Sequence, residues 1–433
     1  MTTMIDAYAQ RRTRLAGHLG AGVAVVATAP EALRNRDSHY PYRFDSYFYY
    51  LTGFAEPEAV LVLTGGAAPH SMLFCRARDP EREIWDGYRY GPEGAKEKFG
   101  FDAAYPIAEL DAKLPELLAE QPRLAYAVGM DAAWDARVLG WLNAVRGKAR
   151  SGVAAPQEIV DVRRWLDDMR LIKDARELEL MQRAADISSA AHRRAMRAAR
   201  PGRREYEIEA ELLHSFVAAG ARQPAYPSIV AGGANACVLH YVENDGELRD
   251  GDLLLIDAGG ELGGYASDIT RTFPVNGRFS GPQKAAYEIV LEAQTRAIAA
   301  VKPGVLWIAP HEAALGVITQ GLKDLGILNG ELSGLLEQEA YKPYYMHRTG
   351  HWLGLDVHDA GDYKREGAWR ELHPGMVLTV EPGLYLRPSE TLPEAYWNIG
   401  IRIEDDVAVT ADGQQVLTSP PKTVADIEAW MHG

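Results

Sequence analysis

The sequence predicts an α/β protein of two domains, and three observations carry that prediction. The chain has 433 residues, more than one hydrophobic core usually serves. Its first part alternates short apolar runs, such as Gly22-Val-Ala-Val-Val-Ala27 and Ala59-Val-Leu-Val-Leu63, with clusters of Gly, Pro and Asp, as expected of strands interleaved with helices. Near Met169-Arg-Leu-Ile-Lys-Asp174 the pattern changes to a long amphipathic helix. The boundary is therefore placed close to residue 170, giving domains 1–170 and 171–433.

Within the first domain, Tyr40 to Tyr50 and Trp85-Asp-Gly-Tyr-Arg-Tyr90 concentrate aromatic residues. Such residues build cores and interfaces alike, so they serve core packing, a cleft wall or an oligomer contact. In the second domain, Asp174 caps the long helix and Pro201-Gly202 stops it. A further helix runs to Gly220, and the apolar strand Asp252-Leu-Leu-Leu-Ile-Asp257 then opens a hairpin whose return arm holds Asp268-Ile-Thr-Arg-Thr-Phe273. Glycines 259, 260, 263 and 264 allow tight turns and close backbone approach, so Asp257 and Asp268 can face one site. Helical periodicity follows from about Pro282 to Ala300 and from about Pro310 to Leu325. Two later strands, Met376–Glu381 and Ile399–Glu404, each end in a carboxylate after an apolar run, as when a buried sheet presents ligands at its rim.

Composition narrows the function. With 47% hydrophobic and 24% charged residues the chain reads as a soluble globular protein. A formal net charge of -14, from 46 basic and 60 acidic residues, disfavours nucleic acid and anionic membranes as nonspecific partners. The amino terminus lacks an apolar signal region, and no apolar run approaches the roughly 20 residues that span a bilayer, so a cytoplasmic location is expected. The two cysteines, Cys75 and Cys237, are too few for a disulfide framework and are read as buried, inert thiols.

The chemistry concentrates in Asp257, Asp268, His351, Glu381 and Glu404. Four carboxylates gathered within a few ångströms repel one another and lose hydration, at a cost of several kcal/mol, unless a compensating charge is present. Two divalent cations supply it. Oxygen-rich ligation with a single imidazole favours Mn(II), with Co(II), Zn(II) and Mg(II) as alternatives. Such a pair of ions serves hydrolysis.

The segments His347-Arg-Thr-Gly-His-Trp-Leu-Gly-Leu-Asp-Val-His-Asp359, Thr379-Val-Glu-Pro-Gly-Leu-Tyr385 and Ile399-Gly-Ile-Arg-Ile-Glu-Asp405 resemble those of the bacterial Xaa-Pro aminopeptidases, the aminopeptidase P group of the pita-bread metallopeptidases. The resemblance is strong over the carboxy-terminal 260 or so residues, and Leu51-Thr-Gly-Phe-Ala-Glu-Pro-Glu-Ala59 extends it into the first domain. It implies a creatinase-like α/β domain, with an oligomer and cleft-wall role, followed by a pita-bread catalytic domain. It also implies a homo-oligomer, tetramer or dimer, acting on peptides with proline second through a hydroxide held between two metals.

Carried over residue by residue, the resemblance puts Asp257 on one metal and His351 with Glu381 on the other, with Asp268 and Glu404 bridging both. Glu381 shuttles a proton to the leaving nitrogen, a tertiary amide with no hydrogen when proline is second. His240 and His358 line the site, contact substrate and stabilise the tetrahedral intermediate. Arg402 and Tyr385 form a relay to the metal-bound Asp257, with Tyr226 a further partner near that residue. His347 is either a substrate-side group or structural; Arg348 occupies the place where a zinc-protease helix would carry Glu. Asp356 and Asp359 are read as structural loop residues. One departure is the Arg348-Thr-Gly350 interior, where relatives often have Gly and Ser. Prolidase, cleaving Xaa-Pro dipeptides, is the nearer rival, and a noncatalytic pita-bread binding protein is the rival from another class.

Overall fold

The structure is a computed structural model describing residues 4–433. The chain divides into two compact units, the first ending at Met169 and the second running Arg170–Gly433.

The first unit is built on a six-stranded mixed sheet. Its strands follow the order Ala103–Pro106, His70–Cys75, Val60–Thr64, Val23–Ala27, Arg123–Tyr126 and Glu158–Asp161. Val23–Ala27 pairs antiparallel with Val60–Thr64 and parallel with Arg123–Tyr126. Because that strand is covered on both faces, its sequence is a continuous apolar run rather than an alternating one. Helices Leu110–Leu118 and Ala132–Arg146 supply Leu114, Leu118, Trp141 and Leu142 to the same core. The aromatic stretch splits in role: Phe48 and Tyr50 are buried on helix Ser46–Thr52, which Asp45 caps through the Phe48 amide, whereas Trp85 and Tyr88 are 83% and 63% exposed. Cys75 is a buried free thiol that burial pushes up to about 12, and Cys237 in the second unit is pushed up to about 11.

The second unit opens with helix Ala175–Ala198. Asp174 accepts from the Glu177 amide while the Glu177 carboxylate accepts from the Asp174 amide, a reciprocal cap. Just before it, Lys173 donates to Asp359 at 2.9 Å and Arg170 donates to the same carboxylate at 2.5 Å, all three side chains being almost wholly buried. Asp359 thus fastens the loop carrying His358 to the start of this unit.

Strands Ile229–Gly232, Leu253–Asp257 and Thr270–Pro274 form an antiparallel sheet in which Asp257 faces Thr270 across the register. This departs from the single hairpin expected. Between its arms the chain makes a second small hairpin, Gly260–Leu262 against Tyr265–Ala266, which joins Gln223–Pro224 in another sheet. Asp268 consequently lies just before the return strand rather than in it. Gly259 makes the excursion possible, since a Cβ there would sit 1.7 Å from the Ser267 carbonyl oxygen.

Two further antiparallel pairings complete the site's scaffold. Val377–Val380 pairs with Asp405–Val409, and Gly383–Leu386 with Ile399–Arg402, so Glu381 and Glu404 sit just beyond strand ends in different sheets. Helices Gly281–Ala300 and Ala309–Asp324 pack Tyr287, Val290, Ile318 and Leu322 into the core shared with Leu254, Phe273 and Leu378. Among the described residues no helix is long and apolar enough to cross a membrane.

Candidate metal centre

Strand ends deliver the acidic groups. Asp257 closes its strand, Asp268 precedes the next, and Glu381 and Glu404 follow theirs, so the carboxylates converge where the backbone leaves the sheets. Ligand atoms of Asp268, His351 and Glu404 all lie within 4.8 Å of one another. Asp257 joins this group through Tyr226, whose hydroxyl donates to Asp257 Oδ1 at 2.6 Å and also contacts Asp268 Oδ1. Glu381 lies on the other side, its Oε1 3.7 Å from His351 Nε2, while Asp268 Oδ2 is 3.4 Å from that nitrogen. The five residues line a cavity of about 620 Å³ together with His240, His347, Arg348, His358 and Arg402.

Backbone and hydroxyl groups orient these side chains. His351 Nδ1 is 2.9 Å from the Trp352 carbonyl, which can only accept, so Nδ1 carries a hydrogen and Nε2 faces the carboxylates. Thr270 donates to Glu404 Oε2 at 2.6 Å. The Thr379 hydroxyl accepts from the His351 amide at 3.1 Å and reaches Glu381 Oε1 at 3.5 Å.

On one flank a chain of donors runs inward to outward. Arg402 Nη2 donates to Asp257 Oδ2 at 2.5 Å, and Nη1 donates to the Tyr385 hydroxyl at 3.0 Å. His347 Nδ1 donates to the Arg348 carbonyl at 2.7 Å, leaving Nε2 to accept from Tyr385 at 2.8 Å. Burial, with Arg402 nearby, pulls His347 down to about 3, which keeps the ring neutral for that role. His358 packs edge-on to His351 with ring centroids 4.3 Å apart, and burial also lowers it.

The electrostatics suit a cation. Without one, burial raises Asp257 and drives Glu404 well above the carboxylate range, neighbouring carboxylates adding to both. Burial lifts Glu381 to about 7, although His351 and Arg402 oppose it. Burial alone would lower His351, but Asp268 and Glu381 hold it up at about 9; burial would raise Asp268, but the same imidazolium together with Tyr226 and Arg402 keeps it low. A buried acidic cluster that retains protons and borrows a positive imidazole lacks positive charge, and divalent metal ions match that deficit. The oxygen-rich donor set with one imidazole is chemically compatible with such ions.

Sequence reasoning did not single out Thr270, Thr379, His311 or Thr349. The last two form a network behind the site: Thr349 Oγ1 is hydrogen-bonded with His311 Nδ1 at 2.7 Å and with the Tyr345 hydroxyl at 2.6 Å, and its carbonyl accepts from the Glu381 amide at 2.8 Å. Thr379 and Thr349 lie within the quoted motifs, so a search for hydroxyls flanking each ligand would have found them. His311 opens a helix far away in sequence and carried no local signal.

A buried carboxylate and imidazole cluster at converging strand ends, under a cavity of peptide-binding size, defines a metallohydrolase-like site. Residues 179–411 match metallopeptidase family M24 and residues 8–126 match the aminopeptidase P amino-terminal domain. The chain belongs to metallopeptidase family M24. It is 46% identical over 428 residues to the Xaa-Pro aminopeptidase of Escherichia coli strain K12, covering 98% of this chain and 97% of that protein. The Haemophilus influenzae Xaa-Pro aminopeptidase is also 46% identical, over 99% of this chain and 97% of its own. Among solved structures, aminopeptidase PepP of Pseudomonas aeruginosa superposes with a TM-score of 0.98 at 52% identity, covering 100% of this chain and 99% of that one. A zinc-substituted E. coli aminopeptidase P in complex with product gives 0.97 at 44% identity, covering 100% and 99%. The fold is thus the expected α/β domain followed by a pita-bread domain.

Proposed function

We propose that the protein is a metal-dependent aminopeptidase that releases the first residue from peptides with proline second. The observation that carries this reading is the convergence of Asp257, Asp268, His351, Glu381 and Glu404 in one buried cluster, in a chain similar throughout its length to Xaa-Pro aminopeptidases. Asp257 with the shared Asp268 and Glu404 would hold one ion, and His351 and Glu381 with the same shared pair the second. The donor set favours Mn(II), and the zinc-substituted relative makes Zn(II) a natural comparison. When bound, such ions polarise the scissile carbonyl and acidify a water to act as nucleophile.

The chain's own groups do the rest. Glu381, which lines the cavity with one carboxylate oxygen 3.7 Å from His351 Nε2, is placed to take a proton from water and return it to the departing nitrogen. An Xaa-Pro nitrogen carries no hydrogen, so it leaves as a neutral amine only if a proton arrives there. Arg402 opposes the burial that raises Asp257 and holds that carboxylate in place, while Tyr385, itself bonded to His347, positions Arg402. His240 and His358 line the cavity wall, where a hydrogen-bond donor would stabilise the developing oxyanion.

We further propose a homo-oligomer located in the cytoplasm. Helix Pro80–Asp86 buries none of its residues and leaves Ile84 and Trp85 more than four-fifths exposed, as residues at subunit contacts are in an isolated chain.

The direct test compares Xaa-Pro-Yaa tripeptide with Xaa-Pro dipeptide as substrates of chelator-stripped and Mn(II)-reloaded protein. Manganese-dependent release of Xaa from the tripeptide supports the proposal. Cleavage of the dipeptide alone would move the activity to prolidase, and cleavage of neither with any divalent metal would favour a binding protein.

A further inference from the structure

Two arginines line the cavity, and only one of them is neutralised there. Arg402 is committed to Asp257 and Tyr385. Arg348 is exposed and makes no ion pair among the described residues; its guanidinium carbon lies 5.8 Å from the centre of the Trp369 ring. Lys364 Nζ lies 4.1 Å from the centre of the same ring, on the short hairpin formed by Lys364–Arg365 and Ala368–Trp369. Arg348 is therefore a cation without an ion pair in a cavity whose other charged lining residues, Arg402 and the histidines apart, are the acidic Asp257, Asp268, Glu381 and Glu404.

The backbone that carries Arg348 is anchored. A Cβ on Gly350 would sit 2.0 Å from the Thr379 carbonyl oxygen, so glycine lets this segment press against the strand that leads to Glu381. The Thr349 carbonyl accepts from the Glu381 amide at 2.8 Å, and the Arg348 carbonyl accepts from His347. The start of the Arg348 side chain is thus fixed relative to the reacting groups.

A short peptide brings two charges, an ammonium at one end and a carboxylate at the other. Asp257, Asp268, Glu381 and Glu404 attract the first and repel the second. An arginine on the wall offers the carboxylate a planar, bidentate partner whose charge is not already neutralised. We infer that Arg348 captures the C-terminal carboxylate of short peptide substrates, so that the site favours free-acid tripeptides over capped or longer peptides. The inference rests on the aminopeptidase reading above.

The test measures KM and kcat of metal-loaded wild type, Arg348→Ala and Arg348→Lys on an Xaa-Pro-Yaa tripeptide and on its C-terminal amide. The alanine variant keeps the backbone carbonyl that holds His347. For the wild type the amide should show a KM about two- to fivefold higher than the acid, the range of a partly exposed ion pair. Arg348→Ala should raise KM for the acid to that of the amide, leave the amide unchanged and leave kcat within about twofold, with lysine intermediate. Equal KM values for acid and amide in the wild type, or an equal shift of both peptides in Arg348→Ala, would overturn the assignment while leaving the aminopeptidase reading intact. Failure of the wild type to cleave either peptide would bring down both.

Discussion

Arg402 Nη2 donates to Oδ2 of Asp257 at 2.5 Å, the centre of the relay that runs on through Tyr385 to His347. Burial raises Asp257, and the guanidinium beside it is the chief opposing influence. Replacing Arg402 by lysine keeps a charge but cannot span Asp257 and Tyr385 at once. Arg402→Lys should lower kcat by about 10- to 100-fold, with Tyr385→Phe milder, as measured by steady-state kinetics alongside metal content. Unchanged kcat in Arg402→Lys would show that the relay is structural only.

Glu381 and His358 should separate on the same two readouts. Glu381→Ala removes a proposed ligand and the proton carrier together, so turnover should fall to background and metal stoichiometry should drop. His358→Ala should impair turnover while retaining metal, because the carboxylates and His351 remain. Full activity in the Glu381 variant would contradict the proposed chemistry.

Metal uptake should release protons, and more of them in acid. In the metal-free protein Glu381 titrates near 7 against an ordinary 4.5, so its proton stabilises the folded metal-free form fully below about pH 4.5, and that contribution is lost as pH rises through about 7. His351, held up at about 9, is protonated at both pH 6 and pH 8 and must lose its proton to bind metal. Calorimetric titration in buffers of different ionisation enthalpy should therefore count about one more proton released at pH 6 than at pH 8. Equal counts at the two pH values would contradict the assignment of Glu381.

Asp359 and Asp356 both contact Arg170, yet their substitution should differ in cost. Asp359 is buried between Arg170 and Lys173, so Asp359→Ala takes the carboxylate from buried Lys173 and leaves Arg170 with Asp356, and should destabilise the protein by about 3–5 kcal/mol in urea unfolding. The Asp356 side chain is 45% exposed, and Asp356→Ala should cost no more than about 1 kcal/mol. The structural role read for Asp359 from sequence is what this contrast measures.

The capped helix after Asp174 and the carboxylates at strand ends were legible because each rests on local chemistry: a cap, a periodicity, an apolar run. The interruption between Asp257 and Asp268 was not. Its glycines signalled turns, but pairing of Gly260–Leu262 with Gln223–Pro224 depends on a strand more than thirty residues earlier, which no local pattern reports. The His311–Thr349–Tyr345 network escaped for the same reason, being assembled by helix packing. The aromatic stretches were legible as a class only, since burial of Phe48 and exposure of Trp85 are decided by what packs over each.

Metal-dependent cleavage at an Xaa-Pro bond is most directly tested by mass spectrometry of products from one peptide with proline second and a matched peptide with alanine second, using stripped and Mn(II)-reloaded protein. Loss of the first residue from the proline peptide, present only after reloading and much slower for the alanine peptide, is the expected result. Equal cleavage of both peptides would contradict proline specificity, and cleavage by the stripped protein would contradict the metal centre.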